Sequence, residues 1–439
     1  MARLAPTRIA GILAATVMCA TAATEVAAQD GSTGCVSGDA TVCNTQTYQG
    51  DVIASLNLNV TIDNVTVEVV PTDGGSYEVT DGQITAAASA AGNTLLTGVQ
   101  NGALAVRSTQ TLSGNVGAST TMILNGDTQG AVNSTTQANG NYVAGVAENG
   151  ELDVDLVQTV TGGEITAQSS IPGGTARLLQ GAVVGVAASA NTTALGGSGS
   201  GLTGVVTQTS DASVRAGNLA ETQYLPATSV FDSQALGNAV AVTSDAASNQ
   251  NLSIVQRSTG DVVEATTSAN AGNAWDLAGR ATAAGNQAVM VNQGGSVVVG
   301  TNQTNASQIN STAIVTAYDF GAVSAAAQGS GNAVSAGNND RYLEIDNTQI
   351  NSGGVEVQAS FSGANGYDAY VSADAVGNSV TGYACSTCEG VLNATNVQTN
   401  SGNVTATANT AVYGSGRAVI TGTNAVGNAA TFYVSRPGQ

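Results

Sequence analysis

The chain has 439 residues, a formal charge of -20 at neutral pH and no histidine, and all ten of its basic residues are arginine. Without histidine or lysine it holds no Ser-His-Asp triad, no histidine-based zinc motif and no P-loop. The acidic charge argues against nucleic acid and anionic lipid as partners. Aromatic residues make up only 4% of the chain, which predicts a core of small and β-branched side chains.

The first 28 residues have the pattern of a secretory signal peptide. Arg3 and Arg8 precede an apolar run, and Val26-Ala27-Ala28 predicts cleavage before Gln29. No later stretch is apolar for long enough to cross a membrane as a helix. We therefore expect a protein that is secreted across the inner membrane and lies at the outer membrane or cell surface.

Four cysteines, Cys35, Cys43, Cys385 and Cys388, follow the signal peptide. In an oxidising compartment the simplest pairing is two local disulfides, Cys35–Cys43 and Cys385–Cys388. A redox-active Cys385-x-x-Cys388 pair and a four-cysteine zinc site joining both ends are the alternatives. Residues 29–45 are predicted to form a cysteine-bearing N-terminal cap.

A repeat of about 48 residues runs through the rest of the chain. The Asn of an Ala-x-Gly-Asn motif, in which Ala190 replaces the Gly of one copy and Gly329 the Ala of another, recurs at Asn93, Asn141, Asn191, Asn238, Asn286, Asn332, Asn378 and Asn428. A Gln, usually followed by Thr, recurs at Gln46, Gln110, Gln158, Gln208, Gln256, Gln303, Gln349 and Gln398. Such repeats usually form scaffolds and surfaces, because each unit buries its apolar face against its neighbours.

Short strand patterns about 12 residues apart predict about four strands in each repeat. We predict an all-β fold, an elongated β-solenoid of about 24-residue two-strand coils, with two coils in each 48-residue repeat. The alternation in Val391–Gln398 places Gln398 on the inward face. The marker Gln and Asn side chains are then expected to stack in structural ladders. Whole-chain disorder is the alternative, which the regular β-branched residues and only 5 prolines argue against.

Residues 46–439 are predicted to form this single repeat domain, with insertions near 62–80 and 190–204. Gln46 and Gln110 are about 64 residues apart, roughly one third more than the repeat, and Pro71 lies between them. The glycine-rich run from Gly196 to Gly201 marks the second insertion. Both are expected to be loops that bulge from the repeat.

Two segments, Gln110-Thr-Leu-Ser-Gly114-Asn115 and Gln398-Thr-Asn-Ser-Gly402-Asn403, resemble the curlin repeat, a strand–turn–strand unit. Their Gly follows the Gln by four residues, where the curlin repeat has two. This resemblance implies a β-solenoid with amyloid-like stacking.

The exported, acidic, lysine-free layout, with cysteines at its start and Gln-Thr and Gly-Asn repeats after them, resembles the holdfast-anchor protein D family of stalked alphaproteobacteria. That resemblance implies a surface component that attaches an adhesive polysaccharide, the holdfast, to the cell envelope. It further implies a curlin-like partner and an outer-membrane lipoprotein secretion factor.

We predict no catalytic residue, no metal ligand and no cofactor, and therefore no enzyme. Aromatic side chains can stack on sugars or protein partners. The candidate partner-binding residues are Tyr342, Tyr367, Tyr370, Tyr383 and Tyr413. Their alternative role is to fill and cap the last coils.

The expected function is that of a surface structural protein that anchors the holdfast exopolysaccharide to the envelope. Expected partners are the polysaccharide, envelope or outer-membrane anchoring proteins and further copies of the chain, but no nucleic acid. A curlin-like amyloid fibre subunit or surface adhesin is the alternative. A polysaccharide-processing β-helix enzyme using carboxylates is a third, which the scattered acidic residues argue against.

Overall fold

The computed structural model describes residues 40–62, 70–71, 77–78, 83–340, 342–385, 390–414 and 416–435. These residues belong to one compact unit. Nearly all of them lie in β-strands, and this part of the chain contains no helix. Among these residues, no helix is long and apolar enough to cross a membrane. The predicted signal peptide, Cys35 and Cys388 lie outside the described residues.

The strands follow one another with short connections. They are β1 (Thr41–Gln49), β2 (Val52–Ile62), β3 (Val70–Pro71), β4 (Tyr77–Glu78), β5 (Ile84–Gln100), β6 (Ala103–Ser113), β7 (Val116–Thr128), β8 (Val132–Glu148), β9 (Glu151–Val160), β10 (Glu164–Leu178), β11 (Ala182–Ser198), β12 (Gly201–Ser210), β13 (Ser213–Leu225), β14 (Ser229–Ser244), β15 (Ser248–Ser258), β16 (Val262–Asn292), β17 (Gly295–Asn305), β18 (Gln308–Asn338), β19 (Tyr342–Asn351), β20 (Val355–Ala384), β21 (Val391–Asn400), β22 (Val404–Val412) and β23 (Ala418–Val434).

The strands that carry the marker Gln form a sheet of their own. Its eight strands run in the order β1-β6-β9-β12-β15-β17-β19-β21, and every pair is parallel. A second, thirteen-stranded sheet contains the other repeat strands. Both sheets advance by one repeat at each step, and we call the strands of one repeat a layer. At about 4.8 Å per step, the eight strands of the first sheet span about 34 Å.

The register shows that the predicted coil length is wrong. Gln158 pairs with Gln110, 48 residues earlier, and Gln349 pairs with Gln303, 46 residues earlier. A coil of about 24 residues would instead pair each Gln strand with the strand half a repeat away. The period of the stacked layers is therefore the whole sequence repeat, with about four strands in each layer.

Alternation along the strands separates an inner from an outer face. In β15, every second residue from Ser248 to Ser258 is buried and the residues between them are exposed. The alternation stops at each Ala-x-Gly-Asn motif, where Ala283, Ala284, Gly285 and Asn286 are all buried. The register also omits the motif glycine in every layer. The motif therefore marks a bend inside a continuous strand.

The two predicted insertions differ in the structure. Val52 pairs with Val116, 64 residues later, whereas Ile84 pairs with Val132, 48 residues later, so the additional residues lie between Ile62 and Ile84. Within that segment, β3 and β4 form a short antiparallel pair. The insertion predicted near 190–204 is not present.

The glycine-rich run is a tight corner within the sheets. Gly197 pairs with Ala147 and Ser244, and Gly201 pairs with Glu151 and Asn249. A Cβ on Gly197 would lie 2.7 Å from Ser200 Oγ and 2.9 Å from Ser244 Oγ. Glycine leaves room here for side chains that approach the backbone closely, and the run does not protrude as a loop.

Candidate functional site

The marker Gln side chains form a hydrogen-bonded column through the interior. Each donates from Nε2 to Oε1 of the Gln one layer earlier, over 2.7–2.9 Å. The column contains Gln46, Gln110, Gln158, Gln208, Gln256, Gln303, Gln349 and Gln398. We call it the Gln ladder.

The motif Asn side chains form a second column in which the hydrogen bonds run in the opposite direction. Each Nδ2 donates to Oδ1 of the Asn one layer later, over 2.7–2.8 Å. This Asn ladder contains Asn93, Asn141, Asn191, Asn238, Asn286, Asn332, Asn378 and Asn428.

Each ladder also ties two strands together across the interior. Gln303 Nε2 donates to Ala333 O over 3.1 Å, and Asn286 Nδ2 donates to Thr304 O over 2.8 Å. Ala333 directly follows the ladder residue Asn332, and Thr304 directly follows the ladder residue Gln303. Each ladder therefore donates to the backbone of the strand that carries the other ladder. These bonds supply the partners that buried amides require.

The ladders lie between two apolar clusters. On β6, Leu112 belongs to the larger cluster and Val106 to the smaller one, and Gln110 lies between them. On β8, Asn141 lies between Ala138 of the larger cluster and Val143 of the smaller one. The amides therefore form a polar seam that fixes which strands face each other, and they are bonded to one another and not aimed at a ligand.

A further ladder in the last layers was not predicted. Asn305 Nδ2 donates to Asn351 Oδ1 over 2.8 Å, and Asn351 Nδ2 donates to Asn400 Oδ1 over 2.7 Å. The sequence does contain its signal, because these residues each stand two positions after a marker Gln. Earlier copies of the repeat have Leu112, Val160 and other residues at this position.

The cysteines are placed only in part. Cys43 on β1 and Cys385, which follows β20, are both disulfide-bonded. Cys385 has a positive φ of 56°, a conformation that most L residues adopt rarely. Their predicted partners lie outside the described residues, so the two local pairings stay predictions.

The five predicted partner-binding tyrosines do not form one site. Tyr383 stacks in parallel on Tyr433, with ring centroids 5.7 Å apart. The Tyr342 hydroxyl donates to the Glu344 carboxylate, and Tyr370 is partly exposed on the outer face of β20. Tyr367 and Tyr413 lie elsewhere, at a corner of the layers.

This corner gathers aromatic residues from successive layers, and we call it the aromatic corner. Its members are Tyr224, Trp275, Tyr318, Tyr367 and Tyr413. Tyr224 and Trp275 lie before the C-terminal third and were missed. The sequence does contain a signal for this corner, because the five aromatic residues recur at roughly the period of the repeat. Beside them is a groove of about 510 Å³.

The family model described as holdfast attachment protein D matches residues 77–354. The chain belongs to this family. No curated protein and no solved structure matches the chain.

The part of the chain that matches the family includes most of the features described above. It contains the Gln ladder from Gln110 to Gln349 and the groove residues up to Gly321, but it ends before Tyr367. The family description names holdfast attachment. No group of three Asp, Glu, Cys or His side chains in the described part of the chain is placed to hold a metal ion.

One ion pair at the aromatic corner is expected to make the last layer sensitive to acid. Arg417 Nε donates to Asp368 Oδ1 over 3.0 Å, and Arg417 Nη2 donates to Asp368 Oδ2. These two hydrogen bonds hold the pKa of the Asp368 carboxyl below its ordinary value. A lowered aspartate pKa stabilises the fold above the unfolded value of about 3.9, and that contribution is lost as pH falls through the folded value.

We therefore expect the protection of amides in Ala418–Val434 from hydrogen exchange, measured relative to the intrinsic exchange rate at each pH, to fall as pH drops below about 3.9 and through the lowered pKa of Asp368. Arg417→Ala should raise exchange at neutral pH and remove most of this acid dependence. Asn424→Ala is the matched control, because Asn424 donates to Asp374 over 2.8 Å between the same two strands without an arginine. An unchanged acid response in Arg417→Ala would contradict the assignment.

Proposed function

We propose that this protein is an exported structural component that anchors the holdfast polysaccharide to the cell envelope. The single observation that carries the proposal is the family match over residues 77–354, joined to a body built from stacked parallel layers. In this proposal the layers form a β-solenoid with one coil per repeat, and the curlin-like segments are its strand–turn–strand units.

Stacked parallel layers suit an anchor because they share a mechanical load. β18 and β20 are in register from Ile309–Val355 to Asn338–Ala384, so the bonds between these layers act side by side. The Gln and Asn ladders add side-chain bonds at every step. Separating two layers therefore requires many bonds to break together. The long outer faces also offer repeated weak contacts to a partner, and many such contacts together give strong binding.

The anchoring role is tested by deleting the gene and labelling the polysaccharide. We expect the deletion strain to make holdfast and to shed it into the medium, and a plasmid copy to restore retention. A deletion strain that keeps its holdfast would show that the protein is not an anchor.

Export and surface location are tested separately. We propose that cleavage leaves Gln29 at the N-terminus and that the mature chain lies at the outer membrane, where envelope partners hold it. N-terminal sequencing of the mature protein and protease treatment of intact cells check both points. A chain that begins at Met1 or is protected from protease in intact cells would contradict them.

The alternative, a curlin-like fibre subunit, has one specific observation in its favour. Among the described residues, Gln398 Oε1 at one end and Asn93 Oδ1 at the other accept no hydrogen bond. At those same ends, Asn428 and Gln46 each carry an amide N–H without a ladder acceptor. A second copy stacked end to end would continue both ladders, because each free acceptor would meet a free donor.

Purified mature protein distinguishes the two functions. Fibres that bind thioflavin and grow after a concentration-dependent lag would favour the fibre subunit. Soluble protein that leaves the surface when an envelope partner is absent favours the anchor, which is the result we expect. We propose no catalytic role, and incubation with isolated holdfast should release no shorter sugar chains.

A further inference from the structure

Three rows of side chains run along the aromatic corner, each with one residue per layer. The first row is polar, the second is aromatic with a gap, and the third is acidic with a gap. The polar row is Asn273, Asp319 and Asn365. The aromatic row is Trp275, Gly321 and Tyr367, with Gly321 as its gap, and the acidic row is Asp276, Ala322 and Asp368, with Ala322 as its gap. Residues of the first two rows line the groove of about 510 Å³.

Two exposed rings form the aromatic row. Trp275 is 60% exposed and Tyr367 is 51% exposed, and their rings meet edge to face with centroids 6.1 Å apart. Gly321 separates them in the row, and a Cβ there would lie 3.0 Å from two carbons of the indole. The glycine therefore lets the indole lie against the backbone with much of its surface open to solvent.

Near each end of the groove, an arginine lies over the ring of a lining tyrosine. At one end the Arg177 guanidinium lies 5.4 Å from the centroid of Tyr224 and pairs with Asp127 at 3.1 Å. At the other end Arg417 lies 5.5 Å from the centroid of Tyr367 and pairs with Asp368. The open part between these pairs spans about three layers, or roughly 10 Å at the usual strand spacing.

We propose that this groove binds pyranose rings of a polysaccharide that are neutral or positively charged. The apolar face of a ring would stack on Trp275 or Tyr367, since aromatic planes are suited to such faces. Its hydroxyl or amino groups would bond to the polar row, where amide and carboxylate oxygens lie in reach of the same groove. The identity of the polymer as holdfast rests on the anchoring function proposed above.

The charges around the groove set the class of sugar. Asp276, Asp319 and Asp368 lie along its rows, and only Asp368 has an arginine partner within the described residues. Asp319 accepts a hydrogen bond from Asn365 over 3.2 Å, and Asp276 accepts one from Thr228 over 2.9 Å. Neither donor brings a positive charge to the groove to offset these acidic side chains, so uronic-acid polymers are repelled and amino sugars are attracted.

Trp275 makes the groove directly observable, because it is the only tryptophan in the chain. Full-length mature protein would be titrated with cellohexaose, with a glucosamine hexamer and with a galacturonate hexamer while Trp275 emission is recorded. We expect a saturable change with the first two probes and none with the third. A change with the galacturonate hexamer alone would overturn the charge argument.

The decisive probe is the polymer that the deletion strain sheds. We expect wild-type protein to capture it, and Trp275→Ala and Tyr367→Ala each to weaken capture at least about tenfold, the equivalent of roughly 1.4 kcal/mol. Tyr433→Ala is the matched control, since Tyr433 is also exposed but stacks on Tyr383 outside the groove. Equal capture by wild type, Trp275→Ala and Tyr367→Ala overturns the groove, and so does the absence of capture by the wild type.

Cells separate this inference from the anchoring function. If the deletion strain sheds holdfast while Tyr367→Ala cells retain it, the groove is wrong and the anchor stands. If the deletion strain retains holdfast, the anchoring function is wrong, and the oligosaccharide titrations alone judge the groove. Shedding by both strains, with the Tyr367→Ala protein still displayed on the surface, supports both.

Discussion

Replacing Gly331 by alanine is expected to destabilise the stacked layers by about 3 kcal/mol, near the upper end of what overpacking costs. A Cβ at Gly331 would lie 2.5 Å from Gly377 O in the next layer and 2.6 Å from Asn351 Cγ. Neither atom can retreat without cost, because one belongs to the backbone and the other to a buried ladder. Urea unfolding followed by circular dichroism measures the loss.

The matched control lies six residues along the same strand. Gly337 is also on β18, but a Cβ there would have nothing within 4 Å. Gly337→Ala should therefore leave the urea midpoint nearly unchanged. If both variants lose the same stability, the close approach between layers is not the reason for the motif glycine.

The same close approach explains the glycine throughout the Ala-x-Gly-Asn motif. At Gly92, Gly285 and Gly331, a Cβ would lie 2.5–2.6 Å from a backbone oxygen of the next layer. The one alanine in this position, Ala190, belongs to the layer in which the residue two after the marker Gln is the small Ser210. Ala190→Gly is accordingly expected to cost less than about 1 kcal/mol, by loss of chain stiffness alone.

The repeat could be read from the sequence, but the number of strands per turn could not. Strand signals about 12 residues apart fit a two-strand turn and a four-strand turn equally well. Only the pairing of Gln110 with Gln158 decides between them, and that contact is far from local. The one sequence clue was that no second Gln marker stands halfway between those two residues.

The inward position of the Gln marker was predictable because alternation along a strand depends on a few neighbouring residues. The groove was not, since its rows come from residues such as Asn273, Asp319 and Asn365 in three separate repeats. Their types differ from one repeat to the next, so no motif connects them. The insertion predicted at the glycine-rich run around Gly197 was wrong because glycine occurs in closely packed strands as well as in flexible loops.

Interrupting the Asn ladder at its centre is expected to be the other severe change. Asn286 is fully buried, accepts a hydrogen bond from Asn238 and donates to Asn332, each over 2.8 Å. Asn286→Leu keeps the number of heavy atoms and the branching at Cγ but removes all of these bonds. It leaves an Asn238 N–H and Asn332 Oδ1 without partners, and each unsatisfied buried group costs about 1–3 kcal/mol.

We therefore expect Asn286→Leu to lower the free energy of unfolding by about 3 kcal/mol and to raise hydrogen exchange in the strands that the ladder joins. Asn428→Leu is the matched control, because Asn428 ends the same ladder, is exposed and has a single ladder neighbour. It should cost less than about 1 kcal/mol, since water can replace the lost partner. If hydrogen bonds hold the ladder, the loss of unfolding free energy must be larger at the buried position, where water cannot replace a lost partner. Equal losses in the two variants would mean that the amides merely fill space in the seam.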